Sequence, residues 1–336
     1  MSEGQDSAKL RTSPSPRTAG LAPMVLPRKV IHAALGADLA IACIKFTAAG
    51  FTGSSVMLSE GVHSLVDSIN ELLLLYGTQR AGKRPDSSHP FGYGRELYFW
   101  SFIVALLVLG LGAGVSLYEG ITHLLNPAPM NRVILNYLVL AGAFVCEAAS
   151  WWVAFKTFRS TTGGQGYFAA FRASKDPSTF IVLFEDSAAM VGLLIAGVGI
   201  ALAQALQAPW IDGIASIAIG LLLSVSSALL ARETKGLLIG EAAHPRVRES
   251  ILRIAGGDPD VSGVNGVLTV QMGPGQVIAA LSAEFQDGLD TGQIERCVAR
   301  VEASIKQAHP EVRALFVKPQ TADTWRRQIE NSDPPS

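Results

Sequence analysis

Of 336 residues, 49% are hydrophobic and only 16% charged, and the mean hydropathy is +0.32. That balance excludes an ordinary soluble enzyme and describes a polytopic membrane protein with a soluble remainder. The net charge of −1 gives nucleic-acid binding no electrostatic support.

Residues 1–28 are rich in Ser, Pro, Gly and basic side chains and contain no apolar h-region. They read as a disordered tail and not as a secretory signal, and Glu3 and Asp6 count against a mitochondrial presequence. Six apolar stretches follow, at about 30–51, 57–79, 96–123, 133–157, 178–204 and 209–231. Each is near the roughly 20 residues that cross a bilayer. Lys and Arg gather on one set of flanks: Arg28 and Lys29; Arg80, Lys83, Arg84 and Arg95; Lys156, Arg159, Arg172 and Lys175; Arg232 and Lys235. Arg132 alone stands on the other side. The bias places both termini in the cytoplasm or its equivalent. A bacterial inner membrane is the expected location, and a mitochondrial or other organelle membrane the alternative.

After residue 235 the pattern changes. Residues 244–255 and 291–308 have helical periodicity, while 263–272, 277–285 and 312–317 read as strands, the first two joined by a GPG turn. The order α-β-β-α-β suggests a ferredoxin-like layout. The expected fold is therefore an α-helical polytopic membrane protein with six transmembrane helices and a small C-terminal α+β cytoplasmic domain. Its parts are a tail at 1–28, a transport domain at 29–235, the α+β domain at 236–320 and a flexible tail at 321–336.

The second stretch holds the chemistry. Between positions 58 and 75 it carries Glu60, His63, Asp67, Asn70 and Glu71, and on a helix steps of three and four bring them onto one stripe. A charged group at mid-bilayer costs about 2.5–3.5 kcal/mol on insertion scales, so an ion or proton path inside a bundle is the reading to pursue. His63 and Asp67, four apart, can address one point. Imidazole with carboxylate suits Zn²⁺ and related divalent transition metals, whereas an oxygen-only cage suits Mg²⁺ or Ca²⁺. The bland alternative is a His–Asp hydrogen bond that locks two helices. A second helix must contribute, and the fifth stretch offers Glu185 and Asp186. Adjacent helical positions point about 100° apart, so one of the two faces the stripe. A tetrahedral site then needs His63, Asp67, one of this pair, and a fourth ligand or water.

The other polar residues have plainer readings. Asp38 either lines the path or hydrogen-bonds a neighbouring helix. Asp212, at the start of the sixth stretch, suits an N-cap or helix-dipole role. Glu119 and Glu147 are expected to bond neighbouring helices, and Lys45 to form a structural charge pair. The block from His89 to Glu96 reads as a tight turn, with Gly92 and Gly94 permitting the bend. Cys43, Cys146 and Cys297 form no disulfide framework and read as small packing residues.

Several blocks resemble the cation diffusion facilitator family of divalent-metal transporters. IKFTAAGFTGSSVMLSEGVHSLVD is similar to its Lys, Ser, acidic-residue and HSxxD pattern, HPFGYGRELYFW to its HPxGxGxxE signature, and WIDGIASIAIG to its sixth span. The resemblance covers about residues 30–320, and FEDSAAMVGLLIA is similar to the zinc transporter 9-like branch. It implies that His63, Asp67 and Asp186 bind metal, with Glu185 a further candidate. Glu60, Asn70, Glu71, Asp38 and Asp212 then take supporting or pathway roles. Val182 stands where the family has its other fifth-span ligand, so the set is one short unless Glu185, Glu60 or water completes it. The soluble domain has only His244 and His309 and lacks a His-rich metal site.

The implied protein is no enzyme and has no cofactor; a divalent cation, most plausibly Zn²⁺, is its transported substrate. Ligation requires neutral imidazole and ionised carboxylates, so metal binding releases protons, and His63 is the natural coupling group. Alternating access with proton exchange and a homodimer held by the soluble domain are expected. The rivals are a non-transporting partner subunit and an intramembrane aspartyl protease using Asp67 and Asp186. Against the protease, the GxGD context is absent, since the chain reads FED at Asp186.

Overall fold

A computed structural model describes residues 28–127, 133–161 and 177–331; the expected N-terminal tail and most of the break before Pro177 lie outside these. Helix α1 (Arg28–Thr52) turns into α2 (Ser55–Ala81) at Gly53, whose φ of +70° suits a residue without Cβ. Ser54 caps α2 by accepting from the Met57 amide. The long helix α3 (Arg95–Leu125) contains a π-helical stretch, Val108–Ala113, in the glycine-bearing segment VLGLGA. Then come α4 (Val133–Thr161), α5 (Pro177–Ala205) and α6 (Trp210–Ile239). Among the described residues α3, α5 and α6, and Val133–Lys156 of α4, have stretches long and apolar enough to cross a membrane. Helices α1 and α2 are 25 and 27 residues long, but α2 gives up apolar character to its polar stripe.

Small residues let these helices approach. A Cβ on Gly120 would meet the Ile217 amide at 2.7 Å, and one on Gly220 would meet Leu117. This is how helices pack where the solvent is itself apolar and no hydrophobic force drives them together. Gly192 of α5 likewise leaves room for the Glu60 carboxylate. The bundle core gathers Val56, Met57, Val66, Val108, Ile200, Ile219 and Leu223.

The sequence reading ends the transport domain at residue 235, but α6 continues to Ile239 and stops at Gly240, with φ +117°. Gly236 does not break the helix because a glycine costs only about 1 kcal/mol in a helix interior.

The remainder is a layer of helices on a sheet: α7 (Pro245–Gly256), β1 (Val261–Gly273), β2 (Gln276–Phe285), α8 (Thr291–Ala308) and β3 (Val312–Pro319). These coincide closely with the expected elements. The three-stranded sheet has the order β1-β2-β3. β1 and β2 pair antiparallel around Gly275, at φ +62°. β3 pairs parallel with β2, and such a pair needs a crossover, which α8 supplies. An Asp290–Gln293 capping box starts α8. Ile251, Ala255, Val301 and Ile305 cover Val267, Ala279, Leu281 and Leu315. Part of the expected flexible tail is ordered: α9 (Ala322–Glu330) lays Trp325 on Gly266, where a Cβ would stand 2.5 Å from the indole.

The turn before α3 joins the two halves. Asp86 accepts from the Ser88 and His89 amides and the Tyr93 hydroxyl, and these bonds hold its carboxyl below the usual range. Gly92 has φ +86°, but Gly94 is helical, and its small size serves a different need. A Cβ there would stand 2.5 Å from the Met272 carbonyl oxygen on β1. Phe91 meets Phe316 edge-on nearby. Arg80 clamps α2 to α3 through Glu96, Nη2 to Oε1 being 2.8 Å.

Candidate metal centre

The stripe on α2 is real, and its members have different partners. Glu60 is fully buried and accepts from Lys45 Nζ at 3.0 Å; Lys45 also donates to Ser64 Oγ at 2.7 Å. This is the charge pair expected of Lys45, and it removes Glu60 from direct ligation by one oxygen. Asn70 Nδ2 donates to Glu185 Oε1 across to α5 at 3.2 Å. Glu71 faces Asp38 of α1, carboxyl to carboxyl.

His63 and Asp67 remain. His63 is 2% exposed, yet neither ring nitrogen has a hydrogen-bond partner among the described residues, and neither does Asp67 Oδ1. Their nearest approach is 3.5 Å, too long for the hydrogen bond that would lock two helices. An orphaned buried polar atom costs about 1–3 kcal/mol, and this turn of α2 holds three of them.

Asp186 of α5 faces this turn and is an electrostatic neighbour of both residues. It is held by Ser150 of α4, whose hydroxyl donates to Oδ2 at 2.9 Å. Sequence reasoning missed Ser150, because nothing in the local pattern of α4 marks a hydroxyl that meets another helix. Glu185, its neighbour, accepts from Asn70 and is an electrostatic neighbour of Asp67, so both members of the adjacent pair meet the stripe, where the sequence reading expects one. The side chain of Val182 lies outside the described residues. Among the described residues, the intramembrane ligand atoms are not drawn within 4.8 Å of one another as a set.

Among the described residues, the one trio that close is Asp258, Asp260 and Cys297 in the C-terminal domain. Arg300 already fills its centre, with Nη2 at 2.8 Å from Asp258 and 2.6 Å from Asp260. That guanidinium holds the Asp258 carboxyl low, while burial and the carboxylate beside it push the Cys297 thiol up to about 11. The trio is an ion-paired corner with an unreactive thiol. Cys297 packs as expected; Cys43 and Cys146 instead lie exposed on their helices.

Asp212 has a supporting place. It is fully buried in the first turn of α6 and caps another helix: Ser54 Oγ, Ser55 N and Ser55 Oγ donate to it at 2.7, 2.7 and 2.8 Å. Its charge thus sits at the positive end of α2, which orients the helix that carries His63. Asp212→Ala leaves these donors buried without an acceptor, and we expect a loss of about 2–4 kcal/mol, read as a lower melting temperature in detergent.

Residues 31–239 match the cation efflux transmembrane domain. The chain is 34% identical over 261 residues to the Mus musculus proton-coupled zinc antiporter SLC30A9, mitochondrial, covering 77% of this chain and 46% of that protein. With the Homo sapiens protein of the same name the figures are 33% over 276 residues, 82% and 48%; the chain thus spans about half the length of these relatives. The Citrobacter koseri cation-efflux pump FieF is 26% identical over 286 residues, 85% of this chain and 90% of the pump.

Proposed function

This chain belongs to the cation efflux family, and on that premise we propose that it moves a divalent cation, zinc first among them, out of the cytoplasm or an equivalent compartment in exchange for protons. The observation that carries the reading is the orphaned turn on α2. His63 is buried with both nitrogens free among the described residues, one turn from the free Oδ1 of Asp67, and Asp186 faces them from α5. Lys45 is the only buried lysine or arginine among the described residues, and Glu60 already matches its charge. The carboxylates facing His63 therefore need either a cation or protons to be stable away from water.

The same two occupants supply the exchange. A divalent cation binds neutral imidazole and ionised carboxylates, so loading expels protons and protonation expels the cation. His63, Asp67 and Asp186 hold the metal, Glu185 stands beside them, and Asn70 and Ser150 orient the carboxylates. Asp38 and Glu71 lie along the same face toward the basic end of α2. We take α1 and α2 as spans with the four apolar helices, giving six. Both termini then lie on the cytoplasmic side, and the soluble domain is a ferredoxin-like dimerisation unit. The membrane is a bacterial inner membrane, or an organelle membrane such as that named for the SLC30A9 relatives.

The test is a panel of Zn²⁺, Mn²⁺, Fe²⁺, Co²⁺ and Cd²⁺ in proteoliposomes with an imposed pH gradient. Zn²⁺ uptake is expected to exceed the others and to collapse when an ionophore dissipates the gradient. Uptake indifferent to the gradient removes proton exchange; no uptake of any metal leaves a non-transporting partner subunit.

A further inference from the structure

We propose that Glu147 of α4 is a ligand of the transported cation, so that the centre is built from three helices and not from α2 and α5 alone. The inference rests on the proposed site and adds a residue to it. Ser150 fixes the direction of α4: its hydroxyl bonds Asp186 at 2.9 Å, so that face of α4 looks into the centre. Glu147 lies three residues earlier, on the same face by helical geometry. Its carboxyl is an electrostatic neighbour of Asp67, Asp186 and His63 together, and Asp67 acts on it more strongly than Lys45 does. Lys45 cannot be its main purpose, since Glu60 and Ser64 already take that ammonium.

The second observation is His63, 2% exposed and without a hydrogen-bond partner among the described residues on either nitrogen, with Glu147 among the charges acting on it. An imidazole and three carboxylates from separate turns are electrostatic neighbours there, and among the described residues the one buried ammonium, Lys45, is already matched by Glu60. Glu147 adds an oxygen ligand to a set left one short by Val182, and the donor set becomes richer in oxygen than two imidazoles and two carboxylates would make it. Such a set binds zinc while tolerating harder divalent ions such as Mn²⁺.

The experiment uses the purified full-length protein in detergent, with Zn²⁺ affinity from chelator competition and the visible absorption of bound Co²⁺ as a report on its ligands. Glu147→Gln, Glu147→Asp and Asp67→Asn are compared with wild type after size exclusion confirms folding. The expected result is a loss of Zn²⁺ affinity of about tenfold or more in Glu147→Gln. The Co²⁺ spectrum should shift, and Glu147→Asp should recover part of both. Wild-type affinity in Glu147→Gln beside a loss in Asp67→Asn overturns the proposal and leaves the site standing. Weaker binding with an unchanged Co²⁺ spectrum also overturns it, since Glu147 then acts only through its charge. Wild-type binding in all three removes the site itself.

Discussion

Asp67→Asn is expected to stop zinc uptake into proteoliposomes, while the purified protein should keep its size-exclusion profile and melting temperature. The substitution is nearly isosteric and removes no hydrogen bond from Oδ1, because that atom has no partner among the described residues. It takes away a formal negative charge from a buried centre, where a carboxylate is worth far more to a dication than an amide oxygen. A fall in Zn²⁺ affinity of about 100-fold, or about 2.7 kcal/mol, is expected. His63→Ala removes the nitrogen ligand of the proposed set and should act as strongly, with preference moving from Zn²⁺ toward Mn²⁺. A structural His–Asp pair would behave in the opposite way, melting earlier and transporting normally. Uptake at the wild-type rate in both variants would remove the centre from α2 altogether.

How far the sequence carried this picture depended on the range of the interaction. The stripe from Glu60 to Glu71 is a property of one helix, and period and spacing alone revealed it. The elements of the soluble domain were legible for the same reason: alternation, helical period and the GPG turn are local signals. Partnerships between elements were not. Lys45 announced that it needed an acid, but only the packing of α1 on α2 chose Glu60 over Glu71. Asp212 looked like a cap for its own helix and caps α2 instead, 157 residues away at Ser55. Gly94 looked like a bend and is a contact with β1. Ser150 carried no signal, and Glu147 signalled only that it bonds a neighbouring helix, because a polar residue on an apolar helix shows that it needs company and not whose.

That distinction also separates Glu60 and Asp67, the two carboxylates on α2 that lie one turn or less from His63. Glu60 has its cation within the protein, Lys45 at 3.0 Å, and both side chains are at most 1% exposed. Breaking such a pair from one side strands a charge and costs about 3–5 kcal/mol, whereas replacing both partners by apolar groups of similar volume is often neutral. Lys45→Met should therefore lower the melting temperature on the order of 10 °C, and Lys45→Met with Glu60→Met should return it close to wild type. The double variant also lacks the Nζ donor to Ser64, whose hydroxyl can turn to a backbone carbonyl of its own helix. Zinc affinity supplies the second reading. If Glu60 only balances Lys45, the rescued double variant binds Zn²⁺ within a few-fold of wild type, while Asp67→Asn in the same background does not. A double variant that is stable and has lost zinc binding would move Glu60, through its free Oε1, from the scaffold into the metal centre.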